Sequence, residues 1–361
     1  MVVIQWPHVA LGRRAALVVQ WIEQLTPNEP IQVRFLARAP IQRHYDIVPV
    51  MDRNLALEFV RVTEAAAIAS AHWIGRGEAK KADAAAVDEM RDRFNQIDFR
   101  GCVKIGEGKK DEAAELYTGE IVGKGTSPEM DLAVDPLECT DSVAHGRYNA
   151  LSVIAAGAKG SLLSAPDTYM EKIAAGPRAA KVIELDAPVA INIKKAAKAL
   201  GKKVSDMTVL TLDRDRHKYI IDETRKVGAR VRLITDGDVA GAIATCMDDS
   251  GIDLLIAVGG SAEAVIAAAA IKILGGEVLC RFKAKDEHHA ALIKESGLNT
   301  KKVYAAKDLA KGEALTFTAT GVIDGPLLQG VRFTERGIIT HSMVIRGASG
   351  TVRYITTQHH R

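Results

Sequence analysis

Between residues 190 and 282 the chain repeats one pattern three times: a short apolar run, a polar loop, then a stretch of helical periodicity. The apolar runs are Val209–Leu212, Val231–Ile234 and Leu254–Val258. Short strands alternating with helices predict a parallel α/β sheet. Ligands of such sheets collect outside the carboxyl ends of the strands, so the three loops there should converge. They read Asp213-Arg214-Asp215-Arg216, Thr235-Asp236-Gly237-Asp238 and Gly259-Gly260-Ser261-Ala262-Glu263. Arg214 and Arg216 offer cationic donors to a phosphate. Asp236 and Asp238 are expected to accept hydrogen bonds from sugar hydroxyls. Gly259-Gly260 allows close backbone approach to a phosphate, beside the free N–H groups of the following helix. Glu263 is either a metal ligand or a cap for that helix. A dinucleotide fold is disfavoured because the glycines lack the G-x-G-x-x-G spacing.

Upstream, Leu55, Phe59, Val62, Ala66, Ala69 and Trp73 recur at helical steps, predicting an amphipathic helix over Asn54–Trp73 that Gly75-Arg76-Gly77 ends. A second helix carries Val87, Met90 and Phe94 on its apolar face, with Asp83 near its first turn. Cys102–Ile105 and Leu132–Val134 read as strands that stop at Gly106-Glu107-Gly108 and Asp135-Pro136. Leu151–Ala156, Ser161–Leu163 and Glu171–Ala174 read as further strands, as do Thr316–Ala319, Ile338–Ile345 and Thr351–Thr356.

The acidic residues at these strand ends carry the chemistry. Asp135 and Glu138 are separated by two residues across a turn whose direction Pro136 constrains, so their carboxylates can face one point. Glu107 is presented between glycines. Hard oxygen donors of this kind suit Mg²⁺ or Mn²⁺, which would polarise a phosphoryl group and acidify a water. Thr140 could hold that water, with Asp83 accepting its proton. Taken singly, Asp-Pro is a turn signal and Asp83 a favourable charge for a helix start. Their joint occurrence at strand ends favours a metal site.

Composition narrows the class. The chain has 361 residues, 47% of them hydrophobic and 26% charged, with a net charge of +3, as in a globular protein of one or two domains. Interspersed signs and the lack of a Lys/Arg run argue against nucleic acid and anionic membranes. Cys102, Cys139, Cys246 and Cys280 are scattered, which argues against a disulfide framework or zinc site and fits the reducing cytoplasm. The apolar stretch Leu254–Leu274 contains Glu263 and Lys272 and reads as a strand followed by a buried helix. Residues 1–50 differ from the rest: they hold Trp6, Trp21 and five prolines but no Lys or Ser, with one possible helix around Ala15–Leu25. They are expected to be a dispensable extension, or the product of a start placed upstream of Met51.

Long stretches then carry a resemblance: RVTEAAAIASAHWIGRG, KADAAAVDEMR, KIGEGKKDEA, LAVDPLECT, APDTYMEKIAAGP, ITDGDVAGAIATC, VGGSAEAV and FTATGVIDGPLLQGV. In this order they make residues 51–357 resemble the class II fructose-1,6-bisphosphatases, within the wider lithium-sensitive phosphatase superfamily. The resemblance implies a two-lobed α/β sugar-phosphatase fold with a layered αβαβα arrangement. Its parts would be the extension 1–50, a metal-binding part 51–190 joined by the C-terminal strands 315–361, and a parallel α/β sugar-binding part 191–314. It further implies Asp83, Glu107, Asp135, Glu138 and Glu263 as metal ligands for Mg²⁺ or Mn²⁺. Thr140 and Asp83 would activate water. Glu138, Cys139, Thr140, Tyr169, Arg214, Asp215, Arg216, Asp236, Gly237, Asp238 and Gly260 would line the substrate site. The implied reaction removes the 1-phosphate of fructose 1,6-bisphosphate, as in gluconeogenesis, by a homo-oligomer acting on a small sugar bisphosphate. A dual fructose/sedoheptulose bisphosphatase and a catalytically weakened regulatory protein are the rival readings.

Two positions depart from the family pattern. Cys139 stands where the family usually has Gly, which raises reduced activity, altered substrate choice or a redox-sensitive thiol as consequences. Arg214 stands where Lys is common and would grip a phosphate through a planar fork.

Overall fold

A computed structural model describes residues 55–108, 115–125 and 127–360. The expectations for residues 1–50, including the helix around Ala15–Leu25, lie outside the described residues, as does Met51. The described chain opens with α1 (Leu55–Ala71) and α2 (Ala79–Phe94). Leu55, Phe59, Val62 and Ala66 form the buried stripe of α1, while α2 buries Ala82, Ala86, Met90 and Phe94. Phe59 locks the two helices to the chain below, meeting Phe94 and Phe99 edge-on with centroids 5.9 and 5.5 Å apart.

Next come β1 (Arg100–Ile105), β2 (Ile121–Val122), β3 (Glu129–Glu138), α3 (Thr140–His145) and β4 (Ala150–Ala158). The middle of the chain holds β5 (Tyr169–Ala175), α4 (Val189–Leu200), β6 (Thr208–Leu212), α5 (Lys218–Lys226), β7 (Arg230–Ile234) and α6 (Val239–Ala244). It continues through β8 (Leu254–Gly260), α7 (Ser261–Ile273), β9 (Glu277–Phe282), α8 (Glu287–Glu295), β10 (Tyr304–Ala305) and α9 (Ala306–Leu309). The tail is β11 (Thr316–Ile323), β12 (Arg332–Thr334), β13 (Gly337–Arg346) and β14 (Thr351–His359).

These strands make two sheets. The first has the order β12-β13-β11-β4-β3-β1-β2, with β14 paired to β13; the second is β10-β9-β5-β8-β6-β7. As expected, β6 runs parallel to both β7 and β8. The rest of that sheet is antiparallel: β5 lies between β8 and β9 and opposes both. So β5, from the stretch assigned to the metal-binding part, hydrogen-bonds among the strands of the sugar-binding part. Its burial on both faces explains why: Met170 and Ala174 point into one core and Ile173 into another.

Two local expectations change. Ser161–Leu163 is not a strand but a single bridge between Leu162 and Ala310. The Asp131 carboxylate takes the N–H groups of Gly160 (2.7 Å) and Leu162 (3.2 Å), so these donors are not free for a ladder. In β3 the strand does not stop at Asp135. It runs through Pro136 to Glu138, and its pairing with β4 slips between Asp135 and Glu138. That bulge accommodates a proline, which has no N–H to donate.

Packing makes five layers. α1 and α2 cover one face of the first sheet through Val103, Leu132, Val134 and Ile154. α6 and α7 fill the space between the sheets: Val239, Ile243, Val265 and Ala269 meet Leu151 and Val153 on one side and Leu210 and Leu255 on the other. Ile173, Val209 and Ile256 turn the far face of the second sheet toward Ile193 of α4 and Ile220 of α5. The result is the expected αβαβα arrangement, and the described residues form one compact unit. The Ala-rich run of α7 is thus the buried centre of the sandwich, where small side chains let two sheets approach one helix. No described helix is long and apolar enough to cross a membrane.

Candidate active site

Local backbone chemistry sets each acidic group. Asp135 Oδ1 accepts the N–H of Leu137 at 3.1 Å, closing the bulge upon itself. Glu138 is buried; its Oε1 accepts the N–H of Val239 at 2.8 Å, and its Oε2 has no hydrogen-bond partner. Glu107 is aimed by its backbone, whose N–H donates to the carbonyl of Leu116 at 3.0 Å. Glycine is required beside it, because a Cβ on Gly106 would run into that same carbonyl. Asp83 projects from the second turn of α2 rather than its first, and Glu263 from the first turn of α7.

Electrostatics shows that these side chains share one site. Burial raises the pKa of Glu107 to about 7, helped by Asp83 and Asp167. Burial, then Glu107, Glu138, Glu263 and Asp83, push Asp135 well above the carboxylate range. Glu138 is raised by burial and by Asp238, Glu263 and Asp236, partly offset by the Val239 N–H. Burial also raises Asp83 and Glu263, the latter restrained by the positive charge of Lys172. Lys172 therefore offsets the cluster's negative charge only in part. Among the described residues no three acidic, histidine or cysteine side chains close into a ready-made metal cage. The donor set nevertheless suits a hard divalent cation: all oxygen, mutually repelling, with the buried Glu138 Oε2 unpartnered.

The three loops of the second sheet meet here, as their placement predicts. Arg216 is anchored at the end of β8, donating from Nε (3.2 Å) and Nη2 (3.0 Å) to the carbonyl of Val258. Its guanidinium lies 5.4 Å from the centre of the Tyr169 ring, whose other neighbour is His289, with centroids 5.6 Å apart. Buried His217 clips this turn to β8, its Nε2 accepting the Val258 N–H at 2.7 Å. Burial and the Arg216 charge hold His217 at a pKa of about 4, so it stays neutral. Arg214 and Asp215 are exposed at the same turn. Asp236 is raised by burial, with the Gly237 N–H and Arg214 pulling the other way.

The structure corrects two side-chain roles. Asp238, expected to meet sugar hydroxyls, is 3% exposed with both oxygens 2.7 Å from Lys172 Nζ. Cys139, considered as a redox-sensitive thiol, is 6% exposed. Burial, then Glu138, Asp236 and Asp135, raise its pKa and keep it protonated, the opposite of what a reactive thiolate needs. Thr140 follows it as the first, half-buried residue of α3. Two neighbouring glycines permit close side-chain approach. A Cβ on Gly237 would meet Cys139 Sγ, and one on Gly260 would meet the Glu263 carboxylate.

Three site residues were not singled out from sequence. Asp167 adds negative charge to Glu107 and Glu263. Asn149 sits at φ +75°, its Nδ2 3.4 Å from both Cys139 Sγ and the Gly237 carbonyl. Lys172 had a legible signal: it shares the inward parity of Met170 and Ala174, where a lysine needs a buried partner.

A layered αβαβα core carrying a carboxylate cluster beside cationic and glycine-bearing loops defines a phosphatase of the α/β class. The model of the bacterial fructose-1,6-bisphosphatases, glpX-encoded, matches residues 53–359. The chain is 43% identical over 323 residues to fructose-1,6-bisphosphatase 1 class 2 of Escherichia coli (strain K12), covering 86% of this chain and 96% of the relative. It matches the class 2 enzyme of Shigella flexneri to the same extent, again 43% over 323 residues. The chain belongs to this glpX-type, class II fructose-1,6-bisphosphatase family. Among solved structures, the inositol monophosphatase from Anabaena (Nostoc) sp. PCC 7120 shares 13% identity at a TM-score of 0.35, over 69% of this chain and 97% of that one. An extragenic suppressor from Pyrococcus furiosus shares 12% at a TM-score of 0.28, over 53% and 70%.

Proposed function

We propose that this protein hydrolyses the 1-phosphate of fructose 1,6-bisphosphate, giving fructose 6-phosphate and phosphate in carbohydrate metabolism. The observation that carries this reading is the convergence of the carboxylates on β3, α2 and α7 with the loops after β6, β7 and β8, in a chain 43% identical to class 2 enzymes. Asp83, Glu107, Asp135, Glu138 and Glu263 would hold the divalent cation, Mg²⁺ or Mn²⁺. When bound, it offsets phosphoryl charge and acidifies the attacking water. Thr140 would orient that water through its hydroxyl, and Asp83 would accept its proton, a role its burial-raised pKa favours. Arg214 and Arg216 would grip a phosphate, with Tyr169 packed against the Arg216 guanidinium. Asp236 would accept a sugar hydroxyl, and the backbone at Gly237 and Gly260 would border the sugar phosphate. Asp215 would contribute from the same turn as Arg216.

The two sheets would act as two lobes, the first supplying most of the acidic groups and the second the sugar-recognition loops. Homo-oligomerisation, a cytoplasmic location and a place in the lithium-sensitive superfamily belong to the same proposal. The substrate test is phosphate release from fructose 1,6-bisphosphate, sedoheptulose 1,7-bisphosphate and inositol monophosphate in parallel. Turnover of the first is expected, and comparable turnover of the second would make the enzyme dual. Release from inositol monophosphate alone would remove the assignment.

A further inference from the structure

Among the described residues, Lys172 is the only lysine or arginine that is buried, at 2% exposure. It stands in the middle of β5, flanked by β8 and β9, at a position where a lysine is lost to water on every side. Both oxygens of Asp238 lie 2.7 Å from its Nζ. The neighbouring backbone is shaped around the pair: a Cβ on Gly259 would collide with Asp238 Oδ2 and lie 3.1 Å from Nζ. Burial works against the lysine's charge, but Asp238 and Glu263 outweigh it and hold its pKa above the ordinary value. A buried ion pair is a weak source of stability compared with apolar packing of the same volume, so its geometry points elsewhere.

The covalent neighbour of Asp238 is Val239, and the Val239 N–H is what Glu138 Oε1 accepts, at 2.8 Å. From the other side, Asn149 Nδ2 reaches the carbonyl of Gly237 at 3.4 Å. One short relay therefore runs from β5 to the acidic end of β3: Lys172 Nζ, the Asp238 carboxylate, the Asp238–Val239 peptide, Glu138. We propose that Lys172 is a positioning residue, which fixes the Asp238–Val239 peptide through Asp238 and so orients the Glu138 carboxylate toward the cation. Supporting groups of this kind commonly govern 10- to 100-fold in metal affinity or activity, roughly. The inference rests on the proposed metal-ligand role of Glu138, and on the proposed hydrolysis for its kinetic readout alone.

The test compares wild type, Lys172→Met and Lys172→Met/Asp238→Leu. Mn²⁺ binding is measured calorimetrically without substrate, beside thermal melting and the kcat and KM for fructose 1,6-bisphosphate. Lys172→Met is expected to weaken Mn²⁺ binding and lower kcat by roughly 10- to 100-fold each, with KM moving less, and to melt earlier. The double variant replaces the orphaned charge with apolar packing and is expected to recover the melting temperature, while Mn²⁺ affinity and kcat stay low. Wild-type Mn²⁺ affinity in either variant overturns the proposal, as does recovery of affinity and kcat together with stability. A wild-type protein that binds no Mn²⁺ overturns it as well. If wild type binds Mn²⁺ but releases no phosphate, the functional assignment fails, and the affinity and melting comparisons still decide the relay.

Discussion

Cys139 holds a backbone conformation, φ +75°, that a side chain adopts at a cost of roughly 1–2 kcal/mol. Glycine would remove that strain but add roughly 0.5–1 kcal/mol of unfolded-state entropy and give up the packed thiol. Cys139→Gly is therefore expected to change stability by less than about 1 kcal/mol, read from the urea midpoint, and to leave the site competent. Native protein treated with iodoacetamide at neutral pH should show Cys139 unmodified by peptide mapping. Its rapid alkylation would contradict the burial that holds this thiol protonated. Glu107 makes a pH prediction of definite sign. Its folded pKa of about 7 lies above the ordinary glutamate value of 4.5, so the stability it contributes is complete below pH 4.5 and is lost as pH rises toward 7. Chelated protein should melt at falling temperature across that window, and a divalent cation should flatten the decline. A melting temperature that rises through the window without cation would refute the assignment of the cluster's charge.

At the scale of elements, the proposed active site is a junction between the bulged end of β3 and the loop leading from β7 into α6. Gly237, at φ +61°, is the contact point: its missing Cβ makes room for Cys139 Sγ, and a Cβ there would lie 3.0 Å from Glu138 Cδ. Gly237→Ala should cost roughly 1–3 kcal/mol through overpacking, with a further penalty for the positive φ, and should impair turnover. Combining it with Cys139→Gly should restore part of both. A double-mutant cycle should show a favourable coupling of roughly 0.5–3 kcal/mol, and strict additivity would mean the two loops do not touch. Much of this junction was legible in the sequence. Three apolar runs with polar ends predicted the parallel trio and the convergence of its loops, because strand parity and crossover chemistry are local. The insertion of β5 between β8 and β9 was not legible, since nothing local distinguishes an antiparallel guest from its parallel neighbours. Nor was the burial of Asp238, whose partner Lys172 is 66 residues away in sequence. A short motif such as Thr235-Asp236-Gly237-Asp238 displays two carboxylates alike, and only the tertiary fold turns one of them inward.

For the whole molecule, the helical layer of α6 and α7 belongs to both sheets at once, with Leu151 and Val153 of one and Leu210 and Leu255 of the other in the same core. Each large aliphatic side chain buried there contributes on the order of 1.5–3 kcal/mol, so neither sheet can leave without exposing the other's packing. Calorimetry of the metal-free protein should show the two sheets melting in one transition, with calorimetric and van't Hoff enthalpies in agreement; two resolved sheet transitions would separate the lobes. The same sandwich explains the placement of the chemistry: α7 delivers Glu263 from the shared layer, β3 delivers Asp135 and Glu138 from the first sheet, and the loops after β6 and β7 bring Arg214, Arg216 and Asp236 from the second. The most direct test of the account is phosphate release from fructose 1,6-bisphosphate by chelated protein, before and after Mg²⁺ or Mn²⁺ is restored, with Asp135→Asn alongside. Release should be absent under chelator and return with the cation, and Asp135→Asn should stay lower by about two orders of magnitude or more, since several kcal/mol of transition-state stabilisation depend on the cation. Turnover that persists under chelator, or an Asp135→Asn variant as active as wild type, would contradict it.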